Sequence, residues 1–98
     1  LVFVWLQRPG NIADRAALIR ATKELRKSTG LIESVRYGGP VPSQRPTVDD
    51  TFDLALLMRF KDRPSLAKFE KNPAHAKAIR EVLRPLARKV LIYDIAID

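Results

Sequence analysis

The stretch Leu1-Val2-Phe3-Val4-Trp5-Leu6 is apolar at every position, so both alternating sets, Val2-Val4-Leu6 and Leu1-Phe3-Trp5, demand cover. A strand without a polar face has to be buried on both sides. The run ends at Gln7-Arg8-Pro9-Gly10. That is too short for a membrane span, and no basic flank or small-residue cleavage site accompanies it. The protein is therefore expected to be cytoplasmic. Because the chain opens inside a strand without a methionine, a few native residues are expected before Leu1.

Outward from this strand, Gly10 and Asn11 break the run, and Asp14 lies near the start of a helix predicted to reach about Thr29. Leu18, Ala21, Thr22 and Leu25 fall at i, i+3, i+4 and i+7, one narrow buried stripe, with Gly30 as terminator. Leu31 to Tyr37 reads as a second strand, with Val35 and Tyr37 on one face and Ser34 and Arg36 on the other. Val41 to Asp50 has no hydrophobic period and reads as a surface loop. The third strand, Phe52 to Phe60, sets Phe52, Leu54, Leu56, Met58 and Phe60 on one face and Asp53, Ala55, Leu57 and Arg59 on the other.

Pro64 opens a short helix anchored by Leu66 and Phe69. Asn72-Pro73 interrupts it, because a proline biases its predecessor away from helical geometry. A further helix carries His75, Ile79, Val82, Leu83 and Leu86 on one face, and Pro85 bends or ends it. Val90 to Ile97 is the last predicted strand.

The resulting order, β-α-β-β-α-β, is α+β and fits a ferredoxin-like four-stranded antiparallel sheet with both helices on one face. Ninety-eight residues suit a single domain, taken as residues 1–98. Helices on one side leave the other apolar side of the first strand open to water, an exposure that monomers rarely carry. Pairing two sheets face to face removes it, so a homodimer through the sheet face is expected.

Composition excludes much else. There is no cysteine and one histidine, so disulfides, thiolate metal sites and multi-histidine centres are ruled out, and no metal or cofactor is expected. The net charge of +7 lies wholly in residues 59–89, where ten basic side chains face Asp62, Glu70 and Glu81; the remainder balances at eight against eight. Such a face attracts polyanions in principle. Without interleaved aromatic stacking platforms it reads as a solvated helical surface, and nucleic acid is not an expected partner.

The run Phe69-Glu70-Lys71-Asn72-Pro73-Ala74-His75, then Leu83-Arg84-Pro85-Leu86 and a last strand ending in Tyr93-Asp94, resembles the stress-responsive A/B barrel (Dabb) domain. The apolar first strand and Phe52-Asp53-Leu54-Ala55-Leu56 after a Pro/Asp-rich loop resemble it too, so the likeness covers nearly the whole chain. It implies a ferredoxin-like fold whose dimer closes into an α+β barrel, and no fixed activity. One plant branch of the family performs aldol cyclisation of a linear polyketide. Its motif has a tyrosine, a histidine-proline pair and a second histidine where this chain has Phe69, Asn72-Pro73 and His75, so only the second histidine is kept.

His75 is accordingly the candidate catalytic residue. A neutral imidazole on an apolar helix face can act as general base. The opposing reading is a core histidine with its ring satisfied near the helix start. Phe69 speaks against cyclase chemistry, because a phenyl ring cannot hydrogen-bond an enolate. Tyr37 and Tyr93 offer hydroxyls from the sheet, or are ordinary amphipathic strand residues. Asn72 either donates to a ligand or caps the helix starting at Pro73. Phe3, Trp5 and Met58 are candidates to line an apolar pocket between sheet and helices, or are core. Asp49, Asp50 and Asp53 do not follow a calcium-loop pattern.

Two function classes stay open: a homodimeric barrel that binds a small apolar or aromatic ligand between sheet and helices or acts structurally, and an enzyme. The enzyme is either of polyketide-cyclase type with His75 as base or a cofactor-independent monooxygenase of the dimeric α+β barrel type.

Overall fold

Strand alternation, made exact by register, decides which residues share a face. In the computed structural model, which describes residues 1–98, the strands are β1 (Val2–Leu6), β2 (Ile32–Gly38), β3 (Leu54–Phe60) and β4 (Ala87–Ile92). They form one sheet in the order β2-β3-β1-β4, with every neighbouring pair antiparallel. Helix α1 (Ile12–Thr29) links β1 to β2. From β3 to β4 the chain runs through α2 (Arg63–Lys71), α3 (Pro73–Ala78), a π-helical turn (Ile79–Leu83) and a final turn, α4 (Arg84–Leu86). This is the ferredoxin-like arrangement.

Val2 pairs with Leu56 and Val4 with Leu54, so these four side chains and Leu6 point to the same side of the sheet. Leu18 of α1 meets Val4, Leu6, Leu54 and Leu56 in the buried core, and Val82, Leu83, Leu86 and Ala87 close it from the second helical arm. Val4, Leu6 and Leu54 have no exposed surface at all. Each such side chain contributes about 1.5–3 kcal/mol.

Local chemistry ends the helices where the sequence suggests. Asn11 accepts the Asp14 N–H at 2.9 Å as N-cap of α1, while Gly30 takes φ 66° and returns its N–H to the Arg26 carbonyl. Buried Thr22 satisfies its hydroxyl on the Leu18 carbonyl at 2.9 Å. Asp14 is also buried, and Arg8 clasps it with two hydrogen bonds of 2.7 and 3.0 Å. Pro85 has no N–H to offer the preceding turn. The helix widens just before it, with the Arg84 N–H reaching back to the Ile79 carbonyl.

Two expectations, the bounds of the last strand and the place of Phe52, are corrected. The last strand occupies Ala87–Ile92 rather than 90–97. It starts directly after α4 because Ala87 pairs with Leu6, a register shift at Trp5/Leu6 absorbing the extra residue. Beyond its last residue, Leu1 and Tyr93 exchange one further backbone pair. Phe52 leaves the face of Leu54 and Leu56, since the ladder begins only at Leu54. Its ring packs instead on Phe3 and Trp5, at 5.1 and 6.4 Å between centroids. In β2, a shift between Ile32 and Ser34 lets buried Ile32 join Val35 and Tyr37 on the helix side, which strict alternation forbids.

Candidate functional site

The candidate residues fall on opposite faces of the sheet. Register and packing put Tyr37, Met58, Phe69, Asn72 and His75 on the helix side, and Phe3, Trp5 and Tyr93 on the side that no helix covers. One pocket does not hold both groups.

On the helix side, Phe69 of α2 is buried and lies 5.2 Å from Phe60 and 4.4 Å from the His75 ring. Asn72 sits where α2 stops and α3 starts. Its side-chain oxygen accepts the Ala74 N–H at 2.8 Å, and its carbonyl accepts the His75 N–H at 3.0 Å. The capping role is thus the one the geometry displays, and the cap fixes the turn that lays His75 over Phe69. The imidazole is half-buried and its packing partner is a phenyl ring. Met58, opposite Val35, is half-buried; Tyr37 is exposed, with the Lys23 ammonium 5.2 Å above its ring.

Two hollows lie elsewhere. A groove of about 580 Å³ between α1 and β2 is lined by Lys23, Arg26, Lys27, Ile32 and Val35. A smaller one of about 270 Å³ runs between α1 and α3, over Ala21, Leu25, Ala74, Ala78 and Val82. Arg26 is already committed, donating to the carbonyls of Ile32 and Glu33.

On the uncovered side an aromatic cluster has formed. Phe3 meets Phe52 edge-on and Tyr93 at 6.4 Å, and the Trp5 indole N–H donates to the Thr51 hydroxyl at 2.8 Å. Lys89, opposite Trp5 in β4, holds its ammonium 4.5 Å over the indole. Trp5 is 4% exposed, yet Tyr93 is 54% and Leu57 44% exposed, so this face is wrapped at one end and bare elsewhere. Sequence reasoning left Phe52, Thr51 and Lys89 out of this cluster. The signal for Lys89 was its place in the last strand, but the strand's start had been set too late.

The three aspartates near this end each hold a separate backbone group. Asp53 accepts from Leu6 and Gly10, Asp50 from Ser43, and Asp49 from Thr51. The hydroxyl and N–H of Thr51 hold the Asp49 carboxyl below its ordinary range, and Lys89 adds to this. No group of three metal-ligating side chains is assembled. All ten basic residues of 59–89 are exposed. No helix is long and apolar enough to cross a membrane.

A search of curated proteins finds no match. Among solved structures, a protein from Arabidopsis thaliana superposes with TM-score 0.78 at 14% identity, covering 99% of this chain and 94% of that one. A Dabb family protein with a ferredoxin-like fold from Mesorhizobium loti gives 0.69 at 14% identity, covering 97% and 93%. A dimeric protein of unknown function and ferredoxin-like fold from Bacteroides fragilis gives 0.60 at 15%, covering 92% and 85%. At such identities these likenesses speak for the fold alone, and the fold agrees. The model of the stress-responsive A/B barrel domain matches residues 1–97, and with sheet order, helix placement and sequence model in accord, the chain belongs to that family.

Proposed function

We propose that this domain works as a homodimer closed across its uncovered sheet face, sheltering a small apolar or aromatic ligand. The observation that carries the reading is the exposed apolar area of Leu57, Leu91 and Tyr93 beside the half-covered Phe3, on the side that no helix covers. An apolar area of this kind, on a sheet whose other side is already a packed core, is the usual mark of an interface. A second copy is the partner that simple two-fold symmetry supplies. The dimeric description of the ferredoxin-like protein from Bacteroides fragilis supports the same assembly. In such a dimer a further space for a ligand lies between the two sheets, apart from the core that Val4, Leu6 and Leu54 fill.

Light scattering at micromolar concentration tests the assembly. The expected mass is twice the 11.1 kDa of one chain. Leu57→Lys is expected to return the protein to single chains, because a charge buried at the centre of the seam has no partner. A wild-type chain that stays at monomer mass would overturn the reading.

An enzyme with His75 as general base is the second reading, favoured by the half-buried imidazole at the start of α3. Phe69 gives that ring an apolar floor and no hydrogen-bonding partner. A substrate whose turnover His75→Ala leaves intact would remove His75 from that role.

A further inference from the structure

The uncovered face carries charge as well as apolar area. Alternation sets Arg36 of β2, Arg59 of β3 and Lys89 of β4 on it, all exposed. Arg36 stands opposite Leu57 and Ser34 opposite Arg59, so the two arginines are diagonal neighbours. That spacing, about 7–8 Å, is within reach of long side chains. None of the three is in an ion pair, since the chain's two salt bridges are Arg8–Asp14 and Arg80–Glu81. Asp53 and Asp49 are engaged with backbone N–H groups.

A two-fold interface meets its own surface, so an excess of cations is doubled instead of answered. Like charges brought together in a dehydrated seam oppose closure. Bare cations beside an apolar surface with aromatic rings are, conversely, a good match for an anion attached to a planar ring. Guanidinium groups take a carboxylate in a two-pronged fashion, and aromatic edges accept a ring at an angle.

We propose that the dimer holds a small aromatic carboxylate between its two sheets, the anion on Arg36 and Arg59 and the ring against Leu57 and Phe3. The proposal rests on the dimer reading above and names the chemical class of its ligand. Binding and closure are then linked. The anion neutralises the seam, and the seam shelters the ring.

Sedimentation equilibrium at constant ionic strength, balanced with chloride, tests it on the full chain with benzoate, acetate or benzyl alcohol. Millimolar benzoate is expected to tighten the wild-type dimer about tenfold, whereas acetate and benzyl alcohol each change it by less than about twofold. The double variant R36Q/R59Q is expected to dimerise without benzoate at least as well as wild type and to ignore benzoate. A benzoate effect no larger than that of acetate, or one that survives in the double variant, overturns the proposal while leaving the dimer in place. A chain that stays monomeric in every buffer overturns the dimer and this proposal together.

Discussion

The two faces of this sheet are built from the same strands, often from adjacent residues, and they solve the burial problem differently. Val4, Leu6, Leu54 and Leu56 meet Leu18 and the second helical arm, and are shut away within one chain. Their neighbours Phe3, Leu57 and Leu91 point the other way, where only Phe52 and Tyr93 fold back over part of the surface. The first face makes the fold stable by itself. The second leaves apolar area and cations outside any ion pair. Similar hydrophobicity is thus shut in by helices on one side and left largely open on the other.

The comparison breaks most sharply between two positions of β3. Leu54→Ala on the covered face is expected to lower the unfolding free energy by about 2–5 kcal/mol, read as a shift in the urea midpoint. Leu57→Ala, three residues on and facing the other way, is expected to change the stability of the isolated chain by less than about 1 kcal/mol, consistent with its 44% exposure. Equal losses at the two sites would erase the distinction between the faces.

A smaller effect sharpens the helix side. Asn72→Ala removes the side-chain acceptor that binds the Ala74 N–H, and about 1 kcal/mol of stability is expected to go with it. Asn72→Asp is expected to keep most of that stability. If Asn72→Ala melts with wild type, the α2–α3 joint is held by something other than its cap.

The smallest effect is in acid. Asp62 caps α2 through Ser65, and those hydrogen bonds hold its carboxyl below the ordinary value, as Thr51 does for Asp49 beside the aromatic cluster. A carboxyl depressed in the folded chain adds stability above its unfolded pKa, roughly 3.9, and loses it as pH falls through the folded value. Melting temperatures are therefore expected to be flat from neutral pH down to about pH 4 and to fall below it as far as these groups are concerned. Asp62→Asn should remove part of that fall. A profile unchanged by the substitution would show that the cap on the helix side does not contribute to it.

Most of the fold was legible because it rests on periodicity. The two-faced first strand, the Leu18–Thr22 stripe, the Gly30 terminator and the Asn72-Pro73 break are all set by neighbours within a few residues. The misreadings came where pairing between distant strands overrules local pattern. Phe52 continues the alternation of β3 in sequence, but β1 accepts β3 only from Leu54 onward. Tyr93, Ile95 and Ile97 alternate like a strand, yet β4 itself covers only Ala87–Ile92. The candidate site suffered from the same cause. A list of aromatic and polar residues contains no record of which face each takes, and one register shift moves a residue across the sheet. Asn72 was legible, since an Asn before a Pro already describes a cap.

Trp5 is the only tryptophan in the chain. Its indole is pinned by Thr51 and overlain by Lys89 at the sheltered end of the uncovered face. The protein therefore carries a single indole fluorophore, whose emission lies apart from that of the two tyrosines, placed away from the helices. Emission from that indole will report the loosening of one side of the sheet, while far-ultraviolet dichroism follows the helices on the other. Melts followed by both signals turn a geometric division into two observable clocks, and any gap between them measures how tightly the two sides are coupled.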